Sequence, residues 1–119
     1  MLEKKVKVSW NELQHRMAGP DVRRYTDLLG SEKINLVIGK FEPGEQLKPH
    51  YHKSPIDEIY YLYKGSCTVY VGDDNYEANE GDAFFVSGGT VHYLVNNSKD
   101  TCWFVFILSP VDLEGTVYV

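Results

Sequence analysis

From residue 34 onward, apolar and polar positions alternate in short runs separated by turn-forming residues. A period of two is typical of β-strands, because successive side chains point to opposite faces of a sheet. The pattern predicts strands at 34–41, 47–52, 58–63, 67–71, 76–78, 83–86, 91–96 and 102–108, and an edge strand at 116–119. Many short strands without intervening helices indicate an all-β sandwich or barrel.

The N-terminal segment has a different pattern. Ser9 and Glu12 have the spacing of a helix capping box, in which each side chain bonds to the backbone of the other residue. We therefore expect a short N-terminal helix through Met17, ended by the Gly19-Pro20 pair. His15 lies in this segment and is interpreted as a surface or packing residue.

Three histidines and one glutamate stand out as candidate metal ligands. His50 and His52 are two residues apart on a predicted strand, so both imidazoles lie on one face. Glu58 supplies a carboxylate, and His92 supplies a third imidazole from a distant strand. This donor set suits one divalent transition metal ion, with iron, manganese, nickel, zinc and copper all left open. Four protein ligands would leave a coordination position open, as in a working site rather than a closed structural one.

The same residues fall within two spaced motifs. These are Gly44-x5-His50-x-His52-x5-Glu58-x6-Gly65 and Gly81-x7-Gly89-x2-His92-x3-Asn96. Both resemble the motifs of the cupin superfamily, with Ser87 standing where the family has proline. The resemblance implies one cupin domain over residues 1–119, folded as a jelly-roll double-stranded β-helix barrel. It also implies a metal site within 44–96, a small-molecule ligand and a homodimer.

Strand parity predicts which side chains share the interior with the metal ligands. Tyr60 and Leu62 have the parity of Glu58, and Leu94 has the parity of His92. With two aromatic residues of the most apolar strand, they form the expected substrate pocket: Tyr60, Leu62, Leu94, Phe104 and Phe106. The weak candidates for proton transfer beyond the metal site are Tyr60, Tyr93 and Lys40.

Several strands are apolar on both faces, which implies that the outside of a sheet is covered. Ile59, Tyr61, Trp103 and Val105 are examples. A second subunit is the expected cover, and the alternating segments 5–8 and 116–119 could pair across the dimer as edge strands. Asn96 is expected to hold a turn or strand end rather than to touch substrate.

Composition narrows the partners and the compartment. A chain of 119 residues with a formal charge of −5 suits one globular domain and offers no clustered basic face for nucleic acid. No apolar stretch approaches the ~20 residues that span a bilayer, and the first residues lack a secretory apolar region. We expect a cytoplasmic protein without membrane contact, in which Cys67 and Cys102 are buried free thiols.

Three functions are compatible with these features. The first is a metal-dependent enzyme acting on a small molecule, with a non-haem dioxygenase as the leading subclass. The second is a metal-dependent isomerase, epimerase or lyase acting on a sugar or keto acid. The third is a non-catalytic protein that binds a small ligand. Cavity-lining ionisable residues would favour the second function, and their absence together with oxygen consumption would favour the first.

Overall fold

A computed structural model describes residues 5–15, 20–25, 28–29, 33–110 and 116–119, which form two five-stranded antiparallel sheets around one apolar core. The strands are β1 (Asp21–Arg24), β2 (Asn35–Phe41), β3 (Gln46–Tyr51), β4 (Asp57–Lys64), β5 (Cys67–Val71), β6 (Asp74–Ala78), β7 (Ala83–Val86), β8 (His92–Val95), β9 (Cys102–Ser109) and β10 (Val117–Tyr118). The strand orders are β1-β2-β9-β4-β7 in the first sheet and β10-β3-β8-β5-β6 in the second. The predicted jelly-roll architecture is confirmed.

Every strand predicted from the alternation is present, with ends displaced by no more than two residues. The strand that the pattern missed is β1. Its sequence holds one apolar residue, Val22, among charged neighbours, so the period of two has too few positions to be recognised.

The predicted N-terminal helix is wrong over the described residues. Residues Trp10–Glu12 form a single 3₁₀ turn, the Ser9 side chain makes no capping hydrogen bond, and Leu13 is already extended. Trp10 packs against the ring of Trp103 at 5.9 Å, with the Arg23 guanidinium 4.0 Å from its ring centre. These tertiary contacts outweigh the weak local preference for a helix. Residues 16–19, where the helix was expected to end, lie outside the described residues.

The C-terminal segment forms the predicted edge strand, and it pairs within its own chain. Tyr118 lies opposite His50 and Val117 opposite Tyr51, so β10 extends the second sheet beside β3. At the other terminus, Lys5 forms an isolated parallel bridge with Leu29. Within the described part of the chain, no helix has the length and apolar character needed to cross a bilayer.

Inward-facing side chains form cross-strand rows, and these rows differ between the two ends of the barrel. At one end, Glu58 lies opposite Leu108, which lies opposite Asn35. In the second sheet His50 lies opposite His92. We call this the histidine end.

The other end of the barrel carries a different set of inward-facing side chains. There Leu62 lies opposite Phe104, and Phe104 lies opposite Gly39. Phe41 and Cys102 are opposite each other in the same region. We call this the apolar end, because its inward side chains belong to the apolar core.

Candidate metal centre

The four predicted ligands meet at the histidine end. His50 lies on β3, His52 directly follows that strand, Glu58 lies on β4, and His92 begins β8. All four residues are buried, and one candidate ligand atom from each lies within 4.8 Å of the others. The fold thus brings His50, His52 and Glu58, which lie within nine consecutive residues, into one cluster with the distant His92.

Backbone hydrogen bonds orient two of the imidazoles. The Nδ1 atom of His50 lies 2.6 Å from the Lys48 carbonyl oxygen, and that of His92 lies 2.7 Å from the Thr90 carbonyl oxygen. A carbonyl only accepts, so each Nδ1–H donates to it and the ring presents a bare Nε2 to the cluster. A hydrogen bond of this kind on the far nitrogen is typical of metal-ligating histidines.

The contacts around Glu58 fit a cation. Its Oε1 atom lies 2.8 Å from Nε2 of His92 and 3.3 Å from Nε2 of His52. When His92 donates from Nδ1 to the Thr90 carbonyl and carries no second proton, its Nε2 atom and the facing Oε1 atom of Glu58 are both acceptors. Two acceptors repel unless a proton or a metal ion lies between them, so the donor set fits a divalent ion.

The pKa values favour the protonation states that ligation requires. Burial, together with the neighbouring imidazole of His92, lowers the pKa of His50 to about 4. Burial alone would raise the pKa of Glu58, but the facing imidazoles of His52 and His92 offset it and leave that pKa below its ordinary value. At neutral pH, His50 is therefore neutral and Glu58 is ionised, as metal ligands must be.

A cavity of about 230 Å³ opens above the cluster, and His50, His52 and Glu58 form part of its lining. Its apolar wall consists of Val22, Val37, Leu47, Phe106 and Leu108. Its remaining polar lining consists of Arg24, Asn35, Thr116 and Tyr118. The lining includes Val22 and Arg24 of β1 and Tyr118 of β10, which are edge strands of the two sheets.

Most of the expected pocket residues do not line this cavity. Phe106 does, whereas Tyr60, Leu62, Leu94 and Phe104 are fully buried in the core. The parity argument identified the correct face of each strand but not the depth of each residue, because rows farther along the barrel are covered by packing. Tyr60 packs directly beneath the cluster, with its ring 5.6 Å from that of His92.

The weak proton-transfer candidates also lie away from the cavity. Tyr93 stacks on Tyr70 at a ring distance of 4.3 Å, on the face of β8 opposite His92. The Lys40 ammonium lies 5.7 Å from the ring centre of Trp103 on the outer face of the first sheet. The hydroxyl of Tyr60 is buried without a hydrogen-bond partner, and burial raises its pKa well above the ordinary value.

Sequence reasoning missed Arg24 and Asn35 as cavity residues. Arg24 escaped notice because its strand was not predicted. Asn35 lies within the predicted strand 34–41 and begins β2 at the parity of Val37, so its inward position could have been inferred from the alternation. Both lie on the cavity lining.

The remaining motif residues have structural positions. Asn96 is fully buried, and its side-chain amide donates to the carbonyls of Phe41 and Asp100 at 2.8 Å each. Its oxygen accepts from the backbone and hydroxyl of Ser98. The expected role in holding a turn is therefore confirmed by these contacts. Cys67 and Cys102 are buried free thiols, as expected.

Solved structures share this fold. A conserved protein with a double-stranded β-helix domain from Klebsiella pneumoniae aligns over 98% of this chain and 98% of its own, with 18% identity and a TM-score of 0.78. Oxalate decarboxylase from Bacillus subtilis, described for its Mn(II) centres, aligns over 100% of this chain and 33% of its own, with 22% identity and a TM-score of 0.82. At these identities the likeness concerns the fold.

Sequence comparison gives one relative and a family. The tetracenomycin polyketide synthase protein TcmJ of Streptomyces glaucescens is 33% identical over 69 residues, which are 58% of this chain and 46% of that protein. The match thus covers less than half of that relative's length. The family described as the cupin domain matches residues 37–108, which contain all four clustered residues. The chain belongs to the cupin domain family.

Proposed function

We propose that this protein is a metal-dependent enzyme acting on a small molecule, with His50, His52, Glu58 and His92 holding one divalent transition metal ion. The observation that carries the proposal is the convergence of four ligand atoms within 4.8 Å, beside a cavity that three of the four residues line. When bound, such an ion supplies Lewis acidity and, for iron or manganese, reactivity toward dioxygen.

Dioxygenase chemistry is the leading subclass. Outside the clustered residues, the cavity lining holds five apolar side chains, and among its described residues Glu58 is the sole carboxylate. A wall of this kind excludes water and binds a weakly polar substrate, but it provides few groups for proton transfer. The relative TcmJ, named as a polyketide synthase protein, supports a substrate from polyketide chemistry.

A lyase or isomerase acting on an acid is the second candidate. Arg24 and Asn35 on the cavity lining favour it, because they suit an anionic or carbonyl oxygen better than a hydrocarbon. The fold likeness to oxalate decarboxylase with Mn(II) centres supports the same direction and makes manganese a metal to test.

Metal content tests the ligand assignment. Protein purified without a histidine tag is loaded with manganese, iron, zinc, nickel or copper, desalted and analysed for metal per chain. We expect near one ion per chain in the wild type and a loss of at least tenfold in affinity for His52→Ala. The control is His15→Ala, which removes an exposed histidine that is not part of the cluster. Full metal content in His52→Ala would show that the assignment is wrong.

Turnover distinguishes the candidate reactions. Oxygen uptake by the iron- or manganese-loaded protein is measured with phenolic and enolic compounds, and anaerobic conversion is measured with keto acids and sugars. Metal-dependent oxygen consumption supports the dioxygenase, and anaerobic conversion supports the second candidate. Tight ligand binding without turnover in either assay would instead indicate a non-catalytic binding protein.

We also infer a homodimer. Ile59 and Phe85 lie opposite each other on the outer face of the first sheet and are 42% and 63% exposed, with Tyr61 and Tyr63 exposed nearby. A contiguous apolar face of this kind is typical of an interface. Light scattering should give twice the chain mass for the wild type and for the control Ile34→Ser, which changes an exposed apolar residue outside β4 and β7, and the monomer mass for Phe85→Ser. A monomeric wild type at micromolar concentration would contradict the inference.

The cytoplasm is the compartment we infer, supported by the two buried free thiols. An oxidising compartment would favour disulfides in a small domain.

A further inference from the structure

The geometry points to an anion subsite formed by Arg24 and Asn35, which binds a substrate carboxylate at the side of the cavity remote from the metal ligands. This inference rests on the proposed function for the other end of the substrate. It specifies the substrate class as an elongated acid, with a metal-chelating group at one end and a carboxylate at the other.

The sheet register directs Arg24 into the cavity. Arg24 lies opposite Val37, a buried residue of the inner face, and residues opposite each other in an antiparallel pair share a face. Its neighbour Arg23 points to the outer face, where it pairs with Asp21 and packs over Trp10. The two adjacent arginines thus have separate environments, one on each face of β1.

Arg24 has an unused charge. No hydrogen bond or ion pair joins its guanidinium to another described residue, although Arg24 is partly buried on the cavity lining. A guanidinium presents a planar fork of N–H donors that matches the two oxygens of a carboxylate. Among the described residues of the lining, it is the one permanently cationic side chain.

Asn35 supplies a second unused polar group. It is 3% exposed, and its Oδ1 atom is buried without a hydrogen-bond partner. Burying an unpaired amide is unfavourable, and an amide can turn either its oxygen or its nitrogen toward a ligand. Asn35 is a diagonal neighbour of Arg24 across the β1–β2 pair, within reach of the same ligand group.

The strand spacing sets the length of the ligand. Asn35 is separated from Glu58 by one strand, because both lie opposite Leu108 of β9. This places their backbones roughly 10 Å apart, and β1 lies one strand farther. This spacing favours a rigid aromatic acid with two functional ends, rather than a diatomic or monocarboxylate ligand, as a molecule that contacts both Glu58 and Arg24.

Two probes that differ in one group test the subsite. Salicylate carries a chelating end, and 2-hydroxyterephthalate adds a carboxylate on the opposite side of the same ring. Calorimetry with the manganese-loaded protein should show 2-hydroxyterephthalate binding about tenfold to hundredfold more tightly than salicylate, because charge-assisted hydrogen bonds form only with the former. Metal content is measured after each titration to confirm that the probe has not removed the ion.

The variants identify the residues responsible. Arg24→Gln should reduce the preference for the second carboxylate to less than about twofold, and Arg24→Lys should retain an intermediate preference because it keeps the charge without the fork. The control Lys99→Gln removes one exposed positive charge from the turn beyond the apolar end and should leave the preference unchanged.

Asn35→Leu provides a readout that a purely structural residue would not give. Replacing an unpaired buried amide by an apolar side chain of similar size should raise the melting temperature by roughly 2–5 °C. The same change should weaken 2-hydroxyterephthalate binding while leaving salicylate binding unchanged. A lower melting temperature with unchanged binding would assign Asn35 to the scaffold and overturn its part in the subsite.

The result can be separated from the outcome for the proposed function. If the protein binds manganese but shows no Arg24-dependent preference, or binds neither probe, the subsite is wrong and the metal assignment stands. If the protein binds no metal, terephthalate is titrated into it directly. Binding lost in Arg24→Gln would then support the subsite without the proposed function, and binding unaffected by that change, or absent from the wild type, would overturn the subsite.

Discussion

The two ends of this barrel use the same strands and the same alternation, yet they have opposite chemistry. Strand β4 contributes Glu58 at the histidine end and Leu62 at the apolar end, and β9 contributes Leu108 and Phe104 at the corresponding positions. At the apolar end, the inward side chains are stabilised by packing against one another. The histidine end retains buried polar groups without a hydrogen-bond partner among the described residues, namely Asn35 Oδ1 and, just beneath the cluster, the hydroxyl of Tyr60.

The apolar end of the barrel therefore contributes mainly to stability, and the histidine end mainly to ligand binding. At the apolar end Phe104 packs edge-on against Phe41 at 6.2 Å and stacks on Phe106 at 5.6 Å. Burying each aromatic side chain contributes on the order of 2–3 kcal/mol. The histidine end buries charge and unpaired amide, which favour ligand binding and disfavour folding. The following predictions test how far this separation extends.

The largest effect is expected at the apolar end. Phe104→Ala should lower the free energy of unfolding by about 3–5 kcal/mol, because it removes a fully buried ring and leaves a cavity among other rings. Urea denaturation of metal-free protein measures the change. Metal stoichiometry of the remaining folded protein should be preserved. The control Ile34→Ala, at a side chain 56% exposed, should change stability by less than about 1 kcal/mol.

Acid should act on the histidine end. The pKa of His50 is lowered from 6.5 to about 4, so between these values the unfolded chain binds a proton that the folded protein does not. The stability of metal-free protein should therefore fall by roughly 3 kcal/mol as pH decreases from 6.5 to 4. The pKa of Glu58 is also lowered, so the stability of the metal-free protein should fall further as pH decreases below 4.5.

The variant His50→Gln checks the source of this pH dependence. It should reduce the dependence of the denaturation midpoint on pH between pH 6.5 and 4. The variant Phe104→Leu should instead lower the midpoint at every pH and leave its dependence on pH unchanged. An unchanged slope in His50→Gln would assign the acid sensitivity to another group.

Two glycines of the motifs offer a smaller contrast. Gly65 has φ +91°, and a Cβ atom there would lie 2.7 Å from the Thr101 carbonyl oxygen and 2.9 Å from Cys102 Cα, near the apolar end. Gly89 has φ +87° near the histidine end, with no atom within 4 Å of such a Cβ. Gly65→Ala should therefore lower the free energy of unfolding by about 1–3 kcal/mol more than Gly89→Ala does. In Gly89→Ala the sole cost is that of an L-residue in the left-handed conformation. Equal losses in thermal denaturation would mean that backbone conformation outweighs packing at both sites.

The smallest effect is expected for Tyr60→Phe. Removing a buried hydroxyl that has no partner should leave stability unchanged or raise it by up to about 1 kcal/mol. Metal affinity and turnover should also be unchanged, because Tyr60 lies beneath the cluster and not on the cavity lining. A large loss of turnover with normal metal content would restore Tyr60 as a proton-transfer residue.

Much of the fold and the clustered residues could be predicted from local sequence. Alternation predicted the strands from β2 to β10. The spacing of residues in the two motifs was sufficient to identify His50, His52, Glu58 and His92. Local signals failed where tertiary contacts decide: Trp10 and Leu13 form a 3₁₀ turn and an extended segment despite the capping pattern of Ser9 and Glu12. Propensity differences of a few tenths of a kcal/mol per residue are easily outweighed by aromatic packing.

By itself, the sequence determined the faces of the strands, because side-chain direction in a strand depends only on position parity. It also determined the residue types available to a metal. Tertiary structure alone decided the depth of each inward residue, and so which ones line the cavity: Tyr60 and Phe104 are covered, while Arg24 and Asn35 lie on the cavity lining. Depth depends on which strands are neighbours and where the two sheets separate, and these relations join residues that are distant in the chain.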